Sequence, residues 1–139
     1  RKISLDVSVP EKYLKAVILK LSIQPIVENS VIHGIKPKGA GQVKILAELR
    51  EADLAIIILD NGIGMEESRI RFIQENLAKD RIDSKNEDDR VSIGLKNVHD
   101  RLRYKYGSEY GIRITSQPKI GTSITILQPF LKEYEKGEE

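Results

Sequence analysis

Hydrophobic and polar residues alternate along much of the chain, and this period of two predicts β-strands. Strands are expected over residues 3–9, 43–49, 112–114 and 122–127. The segment 54–59, LAIIIL, is continuously apolar and rich in β-branched residues, which predicts a strand buried on both faces. Residues 51–53 are short enough to form a hairpin turn into that strand.

Apolar residues at helical spacing predict the helices. We expect helices from about Pro25 to His33, from Glu66 to Ala78, and from Ser92 to about Tyr106. Gly34 and Gly107 are expected to end the first and last helices, and Ser92 suits the N-cap of the last one. A short apolar run, Ala16–Leu19, precedes the first helix.

The composition indicates one soluble domain. The chain has 139 residues, of which 40% are hydrophobic and 32% charged, with a net charge of +2. This balance is too mild to indicate nucleic-acid binding. The absence of cysteine excludes disulfides and thiolate metal sites, and His33 and His99 do not form a metal-ligand cluster. We find no apolar segment of membrane-spanning length and no signal-peptide pattern.

The segment 79–90, KDRIDSKNEDDR, is almost entirely charged and has one apolar residue to bury. It cannot pack a core, so it is either a solvated surface loop or a lid over a ligand. We expect one domain over residues 1–130, with a lid over 66–92, followed by a polar tail over 131–139.

The apolar strand 54–59 ends abruptly at Asp60-Asn61-Gly62-Ile63-Gly64. A carboxylate at the edge of a buried sheet is costly unless a partner compensates it. Asp60 only accepts hydrogen bonds, so it suits a donor such as the exocyclic amine of adenine. The glycines allow a sharp turn and close approach of a ligand, although an ordinary Asp-Asn-Gly turn is the alternative.

Two further polar constellations accompany this turn. Asn29 and His33 share one helix face, with Glu28 next to Asn29, and the amide oxygen of Asn29 is a reasonable Mg²⁺ ligand. A solvated polar face explains the same residues. The stretch 92–98, SIGLKNV, opens a helix with a glycine, which presents free N–H groups to an anion or is an ordinary helix entry.

Taken together, four motifs in this order carry a resemblance. ENSVIHG on a helix, DNGIGM after a strand, SIGLKNV at a helix start and GTSITI on a strand resemble the histidine-kinase-like ATPase superfamily, which includes gyrase, heat-shock chaperones, MutL proteins and sensor histidine kinases. The resemblance implies an α+β fold: a two-layer α/β sandwich with a mixed, mostly antiparallel sheet and helices on one face.

The same resemblance implies a set of ATP-binding residues. Asn29 looks like the Mg²⁺ ligand and a catalytic residue, with Glu28 beside it; Asp60 looks like the adenine-binding carboxylate; Thr122 looks like its water-mediated support. The remaining nucleotide-binding positions are Gly62, Gly64 and Met65 at the base, and Gly94, Leu95, Lys96 and His33 near the phosphates. The implied cofactors are ATP and Mg²⁺.

IQPIVENSVIHGI and GLKNVHDRLRYKYG are most similar to the LytS/YesM-like group of sensor kinases. This implies a cytoplasmic catalytic domain of a membrane-anchored bacterial receptor. Its implied partners are ATP or ADP, an upstream dimerisation domain that carries the phosphoacceptor histidine, and a response regulator.

The chain departs from the kinase pattern at two positions: Ser92 replaces a glycine, and Ile32 replaces a lysine that reaches the phosphates. Related ATPases place a water-orienting glutamate where this chain has Pro25, which favours phosphotransfer to histidine over hydrolysis. An anti-sigma-factor-type serine kinase is the second hypothesis, although that group also tends to carry the glutamate. A non-catalytic nucleotide-binding interaction module is the third.

Overall fold

A computed structural model describes residues 3–10, 23–79 and 90–131. The apolar run Ala16–Leu19, the core of the expected lid at 80–89 and the tail from 132 onward lie outside these described residues. The expectations for those segments therefore stay predictions.

The described residues form a sheet of five strands in the order β1-β2-β3-β5-β4. The strands are β1 (Ile3–Ser8), β2 (Gly41–Arg50), β3 (Asp53–Asp60), β4 (Gly111–Gln117) and β5 (Gly121–Pro129). β1 pairs with β2 in parallel, and the other three pairings are antiparallel. The mixed, mostly antiparallel sheet is therefore confirmed, as is the hairpin turn between β2 and β3.

The helices are α1 (Ile23–Asn29), which continues as a π-helical segment (Ser30–Ile35), α2 (Glu67–Ala78) and α3 (Arg90–Tyr106). α3 contacts both α1 and α2, and both α2 and α3 pack on β4. The core between helices and sheet includes Ile26, Ile58, Ile73, Leu95, Leu102, Ile114 and Ile124, all at most 2% exposed. The two-layer α/β architecture is confirmed. None of the helices in the described part of the chain has the length and apolar character needed to cross a membrane.

The prediction that the strand 54–59 is buried on both faces is only partly correct. Leu54, Ile56 and Ile58 point to the helices and are buried, whereas Ile57 and Leu59 on the outer face are half-buried. The outer face is partly exposed because the helices pack against the other side of the sheet.

The bounds of two helices differ from the expectation. The first helical run continues through Ile35, so Gly34 lies inside the π-helical segment and does not end the helix. α3 begins no later than Arg90, so Ser92 lies inside it and is not its N-cap. Ser92 is 1% exposed and accepts a hydrogen bond from Asn76 Nδ2 at 3.2 Å, which joins α2 to α3. The C-terminal end at Gly107, with φ of 123°, is as expected.

The segment expected to form a lid, residues 66–92, includes a packed helix. α2 occupies much of it and is anchored in the core through Ile73, 0% exposed, and Leu77, 5% exposed. This part is a packed helix, because its apolar stripe lies against α3 and β4. The expectation of a lid is therefore confined to residues that follow α2.

Candidate functional site

A single small cavity brings together most of the residues that the sequence nominated. Its lining consists of Asn29, Ser30, His33, Gly34, Asp60, Gly64, Met65 and Thr122. Of these, Asn29, His33, Asp60, Gly64, Met65 and Thr122 were expected nucleotide-binding positions. The cavity volume is about 20 Å³, which is room for about one water molecule. A purine base therefore requires the walls to move apart.

Asp60 ends β3 at the bottom of this cavity and is 9% exposed. Its Oδ1 accepts a hydrogen bond from the Gly62 N–H at 2.9 Å. Burial raises the pKa of the Asp60 carboxyl above its ordinary value, while the Gly62 N–H, the Ser30 hydroxyl and the Thr122 backbone oppose that shift. The site thus holds a desolvated acceptor that gains from a ligand with a hydrogen-bond donor.

Glycines surround the Asp60 carboxylate because the backbone approaches it too closely for side chains. A Cβ on Gly34 would lie 3.0 Å from Asp60 Oδ1, and a Cβ on Gly62 would overlap the Gly34 backbone. The Ile63 N–H donates to the Gly34 carbonyl at 2.9 Å, which ties the turn after β3 to the π-helical segment. Gly62 therefore shapes the cavity from behind and does not line it.

Ser116 connects three walls of the site through its hydroxyl. Ser116 Oγ accepts from the Met65 N–H at 2.9 Å, contacts Thr122 Oγ1 at 2.8 Å and lies 2.9 Å from the Gly121 carbonyl oxygen. The Thr122 hydroxyl is therefore engaged with Ser116. This network fixes the turn after β3 against the β4–β5 hairpin.

The last residue of α1 and the π-helical segment that follows it place Asn29, Ser30, His33 and Gly34 around one cavity. Its wider turn is shown by the hydrogen bond from the Lys36 N–H to the Val31 carbonyl at 2.9 Å, five residues back. Such turns are rare and frequently occur at functional sites. The sequence predicted an ordinary α-helix here, because helical periodicity does not resolve a local π turn.

Four residues of the site were not nominated from the sequence: Ser30, Gly34, Ser116 and Gly121. One signal was available for Ser116, because it follows Ile112 and Ile114 at the alternate positions that face the helices. A polar residue on a core-facing register is a candidate for a hydrogen-bond network. Gly34 and Gly121 depend on contacts between distant segments, which spacing does not reveal.

Four expected site residues lie elsewhere. Glu28 is exposed, and its Oε2 is 3.4 Å from Gln24 Nε2, so it does not line the cavity. Leu95 is 1% exposed in the core stripe of α3. Gly94 also lies within α3 and not at its N-terminus, so its N–H is not among the free groups at a helix start.

Lys96 is the clearest correction to the expected phosphate contacts. It is 1% exposed, and its Nζ donates to the Lys79 carbonyl oxygen and to Asp100 Oδ1, the latter at 3.1 Å. The ammonium group thus caps the C-terminal end of α2, where helix carbonyls attract cations. It does not line the cavity.

We expect Lys96→Met to leave ATP affinity unchanged within about twofold, because the ammonium group lies outside the cavity. Loss of a charged phosphate contact would instead weaken binding by roughly tenfold or more. Titration calorimetry of both proteins measures the difference. A tenfold loss with an unchanged melting temperature would contradict the placement of Lys96.

His99 joins α3 to β4 through a hydrogen bond. Its Nδ1 accepts the Ile112 N–H at 2.8 Å, which requires the neutral ring. Burial lowers the pKa of His99 below its ordinary value, and Arg103 and Lys96 add to this effect while Asp100 opposes it.

Because the unfolded chain takes up a proton at His99 near pH 6.5 and the folded protein resists it, the free energy of unfolding falls as pH drops below about 6.5. We expect this loss in thermal melts between pH 7.5 and 5 as a difference from a variant that lacks the imidazole, because the raised pKa of Asp60 acts in the opposite direction. A His99→Asn variant, whose Oδ1 is bonded to Cγ as Nδ1 is, keeps an acceptor but does not titrate, so it should have a shallower pH dependence. Parallel curves for the two proteins would exclude His99 as the cause.

Comparison with known protein families identifies the class of protein. Residues 15–132 match the family described as histidine kinase-, DNA gyrase B-, and HSP90-like ATPase. The match covers more than half of the chain, so the chain belongs to this family. It confirms the resemblance that the four motifs indicated; the narrower similarity to the LytS/YesM-like group stays a prediction.

Individual relatives within the family are sensor kinases. The chain is 30% identical over 122 residues to the sensor protein kinase HptS of Staphylococcus aureus, strain bovine RF122 / ET3-1. The alignment covers 88% of this chain but 22% of the relative, and the same holds for HptS of strain NCTC 8325. The chain therefore spans about a fifth of the length of these proteins.

Solved structures share the fold at low sequence identity. The blue-light activated histidine kinase of Erythrobacter litoralis EL346 matches with a TM-score of 0.60 and 16% identity, over 96% of this chain and 37% of that one. Full-length ShkA in complex with AMPPNP matches with a TM-score of 0.64 and 12% identity, over 94% of this chain and 26% of that one. These similarities show the fold.

Proposed function

We propose that this chain is the catalytic domain of a sensor histidine kinase, which binds Mg-ATP at the Asp60 cavity and transfers the γ-phosphate to a histidine on an upstream dimerisation domain. The observation that carries the proposal is the desolvated carboxylate of Asp60, 9% exposed at the bottom of a cavity that joins three of the family motifs. The complex of ShkA with AMPPNP supports ATP as the ligand, because that structure shares the fold.

The base would be held by the end of β3 and the turn that follows. One oxygen of Asp60 accepts a hydrogen bond from the Gly62 N–H, and the carboxylate can accept a further one from the exocyclic amine of adenine. Gly64 and Met65 supply the adjacent wall, and Thr122 supports the opposite side. These residues fit adenine because the Asp60 carboxylate accepts hydrogen bonds and the glycines let the backbone approach the base closely.

Asn29 and His33 are the candidates for the phosphate end of the ligand. Both line the cavity on the helical side, and the Asn29 amide oxygen suits a hard cation. Within the described ranges, no group of three or more His, Asp and Glu residues is arranged to hold a metal ion. This agrees with Mg²⁺ held by one amide and by the phosphates, whose negative charge it would neutralise during transfer.

The surroundings of Asn29 favour transfer to a protein over hydrolysis. Hydrolysis needs a residue that orients water, and Pro25 has no such group. Glu28 lies on the exposed face beside Gln24 and outside the cavity. The serine-kinase alternative is weakened by the same residues. A non-catalytic nucleotide-binding module remains the second candidate, because Ile32 stands where kinases place a phosphate-binding lysine and is 49% exposed.

Phosphotransfer tests the proposal. The chain, extended upstream to include the dimerisation domain, is incubated with γ-labelled ATP and Mg²⁺. We expect acid-labile, base-stable protein phosphorylation, and an Asn29→Ala variant should lose it by roughly tenfold or more. Ile32→Lys serves as the contrasting variant, since it adds a cation near the phosphates and should not reduce transfer. Nucleotide binding without any phosphorylation of the extended protein would favour the non-catalytic module.

The remaining assignments follow from the kinase proposal. A response regulator would receive the phosphate, and the domain would lie on the cytoplasmic side of a membrane-anchored receptor. These partners are inferred from the sensor kinases to which the chain is similar.

A further inference from the structure

Ser30 carries a buried hydroxyl that the proposed contacts do not use. It directly follows Asn29, is 2% exposed and lines the Asp60 cavity. No group in the described ranges 3–10, 23–79 and 90–131 forms a hydrogen bond of ordinary geometry with its Oγ. Buried hydroxyls are usually satisfied, and an unsatisfied one costs free energy. An unpartnered hydroxyl in the wall of a ligand cavity is therefore a candidate ligand contact.

The Ser30 hydroxyl lies beside the carboxylate that is proposed to bind the base. It is near enough to Asp60 to oppose the rise in the pKa of that carboxyl, although Gly62 provides the formed hydrogen bond. The other hydroxyl of the cavity, on Thr122, is engaged with Ser116. Among the described residues of this wall, Ser30 is thus the one with a hydroxyl hydrogen available for a ligand.

The position of Ser30 is set by the π-helical segment. Ser30 begins that segment, and Gly34, four residues later, packs against the Asp60 carboxyl. The wide turn brings both residues to the same carboxylate. Ser30 is consequently held by backbone geometry, and its hydroxyl can rotate from the Asp60 carboxylate toward a ligand.

Adenine presents two adjacent groups of opposite character on this edge: the exocyclic amine, which donates, and the neighbouring ring nitrogen N1, which accepts. An ionised Asp60 can serve the amine but has no hydrogen for N1. We propose that Ser30 is a specificity-determining residue whose hydroxyl donates to N1 of the bound adenine, directly or through one water molecule.

This inference rests on the proposed adenine site and adds to it a second polar residue that hydrogen-bonds the base. Asp60 and Ser30 together match the donor–acceptor pattern of the adenine edge. Removal of either partner of the Ser30 contact, the hydroxyl or the ring nitrogen, should therefore have the same effect, and removal of both should cost little more than removal of one.

The test is a cycle of two proteins and two nucleotides measured by titration calorimetry. The 139-residue chain and its Ser30→Ala variant are each titrated with ATP and with 1-deaza-ATP, in which a C–H replaces N1. We expect Ser30→Ala to bind ATP roughly threefold to tenfold more weakly and to bind 1-deaza-ATP unchanged within about twofold. We expect the variant to stay folded, because the Asp60 carboxylate keeps its hydrogen bond from the Gly62 N–H, and a thermal melt without nucleotide checks this.

Ser92→Ala is the matched control. Ser92 is 1% exposed like Ser30, but its hydroxyl bonds to Asn76 between α2 and α3, outside the cavity. This variant should lower the melting temperature and leave the ratio of the two affinities unchanged.

Two results would overturn the inference. If Ser30→Ala weakened the binding of both nucleotides equally, or of neither, the hydroxyl would not donate a hydrogen bond to N1. If the wild type binds ATP and Asp60→Asn abolishes binding, such a result leaves the proposed function in place. If the wild type binds neither nucleotide, the proposed function fails together with the inference.

Discussion

An Asp60→Asn variant is expected to bind ATP roughly 10- to 150-fold more weakly than the wild type while remaining folded. The oxygen of the introduced amide can keep the hydrogen bond from the Gly62 N–H, which now occupies Asp60 Oδ1 at 2.9 Å. The nitrogen of that amide then faces the adenine amine, so a donor meets a donor and a charge-assisted hydrogen bond is lost. Titration calorimetry with ATP measures the loss.

The same variant should be as stable as the wild type or more stable at neutral pH. Burial raises the pKa of Asp60 in the folded protein above the value of the unfolded chain, near 3.8. The fold therefore favours the protonated form; this contribution is present below the unfolded pKa and is lost as pH rises through the folded pKa. At pH 7 the ionised, buried carboxylate is a cost that asparagine removes, and thermal melts should show it.

Asp53→Asn is the control for this substitution. Asp53 lies at the opposite end of β3, where its Oδ1 accepts a hydrogen bond from the Tyr110 hydroxyl at 2.9 Å. An asparagine oxygen can accept the same bond, so this variant should keep ATP affinity. Equal losses of affinity at Asp53 and Asp60 would mean that the substitutions act through the strand and not through the base.

A Gly64→Ala variant is expected to lose about 2–4 kcal/mol of folding stability, a fall in melting temperature of roughly 10 °C. Gly64 adopts φ of 69°, a left-handed conformation that alanine disfavours. A Cβ there would also overlap the Gln117 carbonyl oxygen, so the turn after β3 would separate from the β4–β5 hairpin. Thermal and urea unfolding measure the effect, and ATP affinity should fall with it because Met65 is adjacent.

Gly94→Ala, the same chemical change at another glycine, is expected to have the opposite effect on folding stability. Gly94 lies inside α3, and a Cβ there would meet no atom of the described part of the chain within 4 Å. Alanine should stabilise the helix by about 0.5–1 kcal/mol. If Gly64→Ala were no more destabilising than Gly94→Ala, the close packing of the turn against Gln117 would be wrong.

The strands and the Asp60 turn could be predicted because each depends on local sequence. Alternation located β1, β2 and β4, and the change from a continuous apolar run to Asp-Asn-Gly located the end of β3. The apolar run overestimated the burial of the outer face of β3, since such a run does not reveal whether one face of a sheet is covered or both.

The family motifs predicted the positions of individual polar side chains only in part. Asn29 and Thr122 line the cavity, and their implied roles toward a nucleotide stay predictions. Lys96 does not line the cavity, because its direction depends on how α2 and α3 pack against each other, and that packing places its ammonium group at the Lys79 carbonyl. Ser92 was misplaced because α3 begins no later than Arg90, before the motif that was expected to open it.

The most direct test of the central claim, an adenine site at Asp60, is calorimetric titration of the wild-type chain with ATP, ADP and GTP, each with and without Mg²⁺. The account predicts one site per chain that binds ATP and ADP, with GTP at least roughly tenfold weaker because its O6 acceptor meets the Asp60 carboxylate. Folded protein that binds GTP as tightly as ATP, or that binds none of the three, would contradict it.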